Sequence, residues 1–314
     1  MSLLAVDLGG TKLAVALFSE AGAIKSKNTI SLNGRSGKLV GELICNEISA
    51  LIANGDINAV GVAVPGIYSK STGKVWAPNI AGWSEYPLLE ELKVLLPETP
   101  VVVESDRSCY ISGEVWNGNA KGCTDAIFLA VGTGIGAGIM SGGNIIRGAQ
   151  DIAGAVGWMA LDTPFQDKYI GCGCFEYHAS GEGIGKVYSE KFNVANGQFQ
   201  NTTALSALDV FKMFEESDHI ASTVINECIM YWGMAAANLV SIFNPQKVIF
   251  GGGVFGPAKK FLEQIKHEAL KWGQPISMQH VEFTTSALGN DAGLYGAAYL
   301  ALQSLTHKSP QNGL

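Results

Sequence analysis

Charge is scarce in this 314-residue chain: Asp, Glu, Lys and Arg together make up 16 % of it. There is no basic surplus, since 21 Lys and Arg face 28 Asp and Glu, and the densest basic spot is the pair Lys259-Lys260. A binder of phosphate backbones carries a basic face, so nucleic acid is not expected as a partner. No apolar run reaches the length of a membrane span. The longest uncharged stretch, Cys228–Phe243, is short and contains Gly233, Asn238 and Ser241, so no membrane association is expected. The six cysteines, at 45, 109, 123, 172, 174 and 228, follow no regular spacing, which favours free thiols over a disulfide framework. The N-terminus MSLLAVDLGG has no basic segment before Asp7, so a secretory leader is not expected and a soluble, cytoplasmic protein is the reading left. A hydrophobic fraction of 47 % with a net charge of −7 excludes a disordered chain.

Glycine, by contrast, is abundant, at 39 residues, and it is clustered, which marks places where backbone approaches something closely. Leu3–Val6, Leu13–Phe18 and Ala23–Ile30 read as strands joined by tight turns, the first supplied by Gly9-Gly10. Lys38–Ile52 has helical spacing, Ala59–Val64 is a buried-type strand ending at Pro65-Gly66, and Pro100–Glu104 opens another strand before a helix over Arg107–Trp116. The theme returns in the second half. Ala126–Val131 is a strand running into Gly132-Thr133-Gly134-Ile135-Gly136, with a further strand at Ala137–Met140 and a hairpin turn at Ser141–Asn144. Strand, glycine turn, strand thus occurs twice, as a repeat of architecture rather than identity. Ile225, Ile229, Trp232, Ala236, Leu239 and Phe243 mark one long amphipathic helix, which Asn244-Pro245 stops. Lys247–Phe250 is a strand ending in Gly251-Gly252-Gly253, a helical pattern follows over Pro257–Trp272, and a last helix is expected from about Asp291 to Leu302. The tail after Ser304 is expected to fray. Two domains are expected: residues 1–118, completed by the C-terminal helix at about 290–304, and residues 119–289. The boundary falls in the turn-rich segment between Trp116 and Asp125.

Three glycine turns carry the chemistry. In Asp7-Leu8-Gly9-Gly10-Thr11-Lys12, a carboxylate near a strand end can hold hydrated Mg²⁺ through water, and the glycines let backbone N–H groups curl around phosphate oxygens. An ordinary hairpin explains the turn equally well, and no Walker A spacing is present. Gly132-Thr133-Gly134 has the same ingredients, and Gly251-Gly252-Gly253 can let a purine lie flat on the backbone. Each pattern is weak alone. In this order, on repeated halves, they describe two lobes clamping a nucleotide.

With these residues the chain resembles the ROK family of sugar kinases and repressors, in the α/β actin-like, ribonuclease H-like ATPase fold. The resemblance runs from about Leu3 to Ala301. It is carried by the Asp7–Lys12 turn, Pro65-Gly66, Asn79 with Gly82-Trp83, Glu104-Ser105-Asp106, Gly132–Gly136, Ala153-Gly154, Gly173–Glu176, Asn244-Pro245 with Gly251–Gly253, and Leu288-Gly289 with Ala292-Gly293. The implied fold has two lobes with a nucleotide and substrate cleft between them. The implied activity is ATP-dependent phosphorylation of a sugar hydroxyl, hexose or amino sugar, as in the glucokinase-like and N-acetylhexosamine-kinase-like branch. In that reading Asp7 is associated with Mg²⁺, Asp106 is the general base, and Asn79, Ser105, Trp158 and Glu176 meet the sugar. Gly9, Gly10, Thr11, Lys12, Gly132, Thr133 and Gly134 hold the phosphates, and Gly252 and Gly253 the adenosine. A homodimer is the assembly it implies. Read from the residues alone, Asp106 fits an N-cap of the helix from Arg107 better than a base, and Asn79 and Glu176 can be read as a turn residue and a solvated one.

The pattern also breaks. Ser105-Asp106-Arg107-Ser108 stands where the family has Asn-Asp-Ala-Asn, and Ala155 and Trp158 stand where it has a Glu and a His that bond sugar hydroxyls, the His also ligating zinc. Lost polar partners are costly for a polyol, because each buried hydroxyl needs a hydrogen bond. Trp158 retains a face for stacking. Of the family's zinc cysteines only Cys174 is kept, with Asp167 and Tyr169 at the other two positions. Cys172, Cys174 and His178 leave three soft donors where a structural zinc takes four, so zinc is not expected. Two functions follow: a kinase, favoured by the retained Asp7, Asp106 and glycine turns, or a non-catalytic sugar- or nucleotide-binding regulatory relative. The repressor branch is disfavoured, since no helix-turn-helix sequence precedes Asp7.

Overall fold

The apolar runs at the N-terminus fold as a meander of β1 (Ser2–Leu8), β2 (Lys12–Ser19) and β3 (Ile24–Ser31). All pairings are antiparallel, with Asp7 opposite Ala14. This computed structural model describes residues 1–53, 56–197 and 205–306; the tail expected to fray lies, beyond Thr306, outside the described residues. Helix α1 (Lys38–Ile52) leads to β4 (Ala59–Val64), which pairs parallel to β1. The small hairpin β5 (Ile67–Tyr68) and β6 (Val75–Trp76) follows, then α2 (Leu88–Leu95), which the sequence pattern did not show. Strand β7 (Val101–Ser105), parallel to β4, runs straight into α3 (Asp106–Asn117).

The chain divides into two compact units. The first comprises residues 1–122, 147–153 and the stretch from Asn290 on; the second comprises 123–146 and 154–289. The sheet of the first unit has the order β3-β2-β1-β4-β7. Both of its faces are covered, which is why β1 and β4 read as continuous apolar runs rather than as an alternating pattern. On one face Val40, Ile44 and Ile48 of α1 meet Val60, Val62 and Trp83. On the other, α10 (Ala292–Thr306) brings Leu294, Ala297 and Ala298 against Ala5 and Cys109. The small residues of α10 are required there: a Cβ on Gly296 would lie 1.8 Å from the Cys109 carbonyl oxygen. Strand β3 is exposed along its length and carries Lys25 and Lys27, the charged edge that discourages further pairing.

The second unit repeats the plan. Strands β8 (Ala126–Val131), β9 (Ile135–Ser141) and β10 (Asn144–Ile145) form an antiparallel meander. Helices α4 (Cys174–Ala179), α5 (Gly181–Asn196), α6 (Ala207–Glu215) and α7 (His219–Phe243) come next. Strand β11 (Lys247–Gly251), α8 (Leu262–Trp272), α9 (Pro275–His280) and β12 (Glu282–Thr285) complete it. The sheet order is β10-β9-β8-β11-β12, with β8, β11 and β12 parallel. Helix α7 has the amphipathic face read from the sequence. Its N-terminus is capped by the Asp218 carboxylate, 2.7 Å from the Ala221 N–H, and its C-terminus ends where Asn244 turns left-handed. Trp232 of α7 is fully buried and donates its indole N–H to the Ala179 carbonyl at 3.1 Å, so the polar handle of a large core side chain is satisfied.

Candidate active site

Two carboxylates dominate the chemistry of the first unit. Asp7 lies one residue from the end of β1, partly buried, with its oxygens against the first turn of α10. A Cβ on Gly293 would come within 2.5 Å of Asp7 Oδ2, so glycine makes room for the carboxylate there. Desolvation is the first cause that raises the Asp7 pKa to about 7; the Asp106 charge adds to it, and Lys12 and Lys27 oppose it. Burial thus makes Asp7 hold its proton more tightly than an ordinary carboxylate does, and a cation bound beside it favours the ionised form. Carboxylate oxygen is also the hard donor that Mg²⁺ prefers, through its waters, so the residue suits the group expected of it.

Asp106 opens α3 directly after β7. Its Oδ1 accepts the Arg107 backbone N–H at 2.8 Å and lies 3.4 Å from the Ser105 hydroxyl, while its Oδ2 accepts the Tyr110 hydroxyl at 3.2 Å. Burial pushes its pKa up; Arg107 and these hydrogen bonds pull it back only in part. The expected N-cap geometry is replaced by a different one. Ser105 occupies the cap position, and the Asp106 carboxylate reaches only the next N–H, not the donors two or three residues on that a cap serves. Ser105 itself is 4 % exposed, and its hydroxyl donates to the Gly66 carbonyl at 2.7 Å and accepts from Arg107 Nε at 3.2 Å. Its polar capacity is therefore spent on its neighbours. Just upstream, the buried Glu104 pairs with Arg147 at 2.6 Å.

The first glycine turn is closed by a bond from Gly9 N–H to the Lys12 carbonyl at 2.8 Å, with Gly10, Thr11 and Lys12 exposed. Neither glycine is needed for a left-handed backbone. Gly10 serves close approach instead: a Cβ there would lie 3.3 Å from the Asn79 Cβ, so the turn and exposed Asn79 are neighbours. Asn79 sits in a loop pinned by Trp83, which stacks on Tyr86 at 4.3 Å and donates its indole N–H to Gly37.

In the second unit, the carbonyls of Gly132 and Thr133 accept the N–H groups of Gly181 and Glu182, at 2.7 and 3.3 Å, fixing the turn to the start of α5. Glu176 is not a solvated residue. Its Oε2 accepts the Ile135 N–H at 2.6 Å, and a Cβ on Gly134 would lie 2.7 Å from it, so the carboxylate braces the turn with one oxygen. At the third turn Gly252 has φ +88°, and a Cβ there would strike the Val131 carbonyl oxygen at 2.4 Å; Gly253 has open space where a side chain would be. Trp158 ends a short 3₁₀ turn next to Ala155 and is 58 % exposed, an apolar face open to solvent.

The residues at the broken zinc motif do not fit a zinc ion. His178 Nε2 lies 2.9 Å from the Tyr169 hydroxyl, and its ring stacks on Tyr231 at 4.7 Å. Cys172 Sγ is turned to the Gly173 carbonyl, at 3.7 Å. No group of three His, Cys, Asp or Glu placed to hold a metal occurs among the described residues. No helix among them is long and apolar enough to cross a membrane. Sequence reasoning missed Tyr110, Arg107 and the Glu104–Arg147 pair. The helical spacing of Asp106 and Tyr110 was available as a signal; the contacts of Arg107 with Gly66 and Ile152, and of Glu104 with Arg147, join residues 41, 45 and 43 positions apart.

Comparison with known proteins identifies the family. The chain is 32 % identical to a glucokinase of Halalkalibacterium halodurans over 95 % of this chain and 94 % of that protein. It is 29 % identical to an N-acetylmannosamine kinase of Escherichia fergusonii, over 96 % and 98 %. Among solved structures, a ROK family glucokinase of Streptomyces griseus in complex with glucose and AMPPNP superposes with a TM-score of 0.80 at 28 % identity, covering 96 % of this chain and all of that one. The fold is accordingly the α/β actin-like ATPase fold. The description of the ROK family matches residues 3–304, and the chain belongs to that family.

Proposed function

We propose that this protein is an ATP-dependent carbohydrate kinase that phosphorylates a hydroxyl of a hexose or amino sugar, with Asp106 as the general base. The kinase relatives named above support the reaction class. The observation that carries the residue assignment is the setting of Asp106: a partly buried carboxylate at a strand-to-helix junction, held by the Arg107 N–H and the Tyr110 hydroxyl, with its pKa raised by burial. A raised pKa strengthens a base. As the sugar oxygen attacks the γ-phosphorus, its proton passes to Asp106, the bond to the β-phosphate oxygen breaks, and ADP leaves. Asp7 would hold Mg²⁺ through water, and the cation would neutralise charge on the phosphates. Gly9–Lys12 and Gly132–Gly134 are assigned to the phosphates, and Gly252-Gly253 to the adenosine. Asn79, Glu176 and Trp158 are assigned to the sugar: Asn79 by its exposed amide, Glu176 by the oxygen that does not brace Ile135, Trp158 by stacking. The test is a panel of hexoses, amino sugars and their N-acetyl forms coupled to ADP release; one or more acceptors must raise ADP release well above the rate with ATP alone.

A second reading has its own support. Ala155 and Trp158 offer a hydroxyl-rich ligand no carboxylate or imidazole, and Ser105 is spent on Gly66 and Arg107. This favours a regulatory relative that binds a sugar or nucleotide without turnover. It predicts melting temperatures raised by sugars and no ADP release.

A further inference from the structure

Arg107 occupies a costly place. It lies in the first turn of α3, where the positive end of the helix dipole disfavours a cation, and it is partly buried, which lowers its pKa. Yet all three of its side-chain hydrogen bonds go to uncharged oxygens. Nε donates to Ser105 Oγ at 3.2 Å, one terminal nitrogen to the Gly66 carbonyl at 3.3 Å, and the other to the Ile152 carbonyl at 3.5 Å. These acceptors belong to three separate pieces of chain: the end of β7, the turn after β4, and the 147–153 segment. Ser105 ties the first two again through its own bond to Gly66. The 147–153 segment is fastened at its other end by the Arg147–Glu104 pair, and beside Ile152 by Asp151, which accepts the Lys70 N–H at 3.1 Å. The two residues that flank Asp106, Ser105 and Arg107 itself, are therefore tied to the Gly66 and Ile152 carbonyls through one planar fork. A guanidinium spreads its donors over three nitrogens of one rigid plane and so reaches acceptors on separate pieces of chain, whereas an ammonium gathers its donors on a single nitrogen.

We propose that Arg107 is the positioning residue for Asp106: its guanidinium locks the base, the Gly66 turn and the 147–153 segment into one rigid group. The inference rests on the kinase reading and assigns a role to a residue that the sequence left without one. A misplacement of about 1 Å costs on the order of 100-fold in rate, so Arg107→Ala is expected to lower kcat by roughly that factor. The KM for ATP should stay within about twofold, because uniform nucleotide binding is untouched. Arg107→Lys should recover little. Millimolar guanidinium added to Arg107→Ala should restore kcat by about tenfold, a response that a general loss of stability would not give. Ser105→Ala, which removes one acceptor without removing bulk, should lower kcat by about three- to tenfold with ATP KM unchanged, and it serves should the alanine variant at 107 not fold. An active wild type whose Arg107 and Ser105 variants keep full kcat, an Arg107→Lys variant as active as wild type, or a loss expressed wholly in ATP KM overturns the proposal. A wild type that turns over no acceptor in the panel overturns the kinase reading, and this one with it.

Discussion

The two units share a strand plan and differ in what stands at the strand ends. In the first, β1 carries Asp7 and β7 hands over to Asp106; in the second, β8, β11 and β12 end on Val131, Gly251 and Thr285. Both open with a meander and a three-residue glycine turn, Gly9–Thr11 and Gly132–Gly134, and both add two parallel strands on the far side. These two turns use glycine alike, for close approach to Asn79 at Gly10 and to Glu176 at Gly134, but the turn after β11 needs Gly252 for a backbone that other residues rarely adopt. The comparison teaches that the architecture is set by the buried apolar pattern, and the chemistry by a few exchanges at strand ends that the pattern tolerates.

Replacing Asp106 has the largest expected effect. Asp106→Asn keeps shape and the Tyr110 contact but cannot take a proton, so kcat should fall about 10²- to 10⁴-fold, read as acceptor-dependent ADP release. Next, Gly252→Ala forces a Cβ against the Val131 carbonyl at a φ of +88°. It should cost about 1–3 kcal/mol in denaturant unfolding and raise the KM for ATP by about tenfold. Gly10→Ala, at an ordinary φ, should cost less than about 1 kcal/mol. If the two alanines behave alike, the distinction between the turns is wrong.

Asp7 gives a smaller, pH-dependent effect. Its pKa in the folded protein, about 7, is above the ordinary carboxylate range, so the folded state binds the proton more tightly than the unfolded chain does. Stability is then fullest at acid pH and declines as pH rises through about 7. Asp7→Asn removes that decline: the variant should melt on the order of 5 °C higher than wild type at pH 8 without nucleotide, and close to it at pH 4. Smallest is Tyr110→Phe. It deletes a hydrogen bond that lowers the Asp106 pKa, so the acid limb of kcat/KM should move to higher pH and kcat change by only a few-fold at alkaline pH.

Much of the fold was legible because the relevant runs are long and periodic. The β1–β2–β3 meander, α1, α7 and β11 all follow apolar spacing. What was not legible has physical causes. Helix α5 contains Gly181, Gly183 and Gly185, poor helix formers that are kept because a Cβ at 183 or 185 would strike the carbonyl of Tyr177 or Leu205. Strand β12 is four residues long, too short for a period to show. Of the candidate site, Asp7, Asp106 and the glycine turns stood out by motif. The work of Ser105 and Glu176 did not, since it depends on bonds to Gly66 and Ile135, 39 and 41 positions away.

The most direct measurement follows ATP binding by calorimetry and ADP release in one comparison of wild type with Asp106→Asn. The account predicts nearly equal ATP affinity in the two proteins and acceptor-dependent ADP release in wild type alone. Acceptor-dependent ADP release that survives in Asp106→Asn would contradict it.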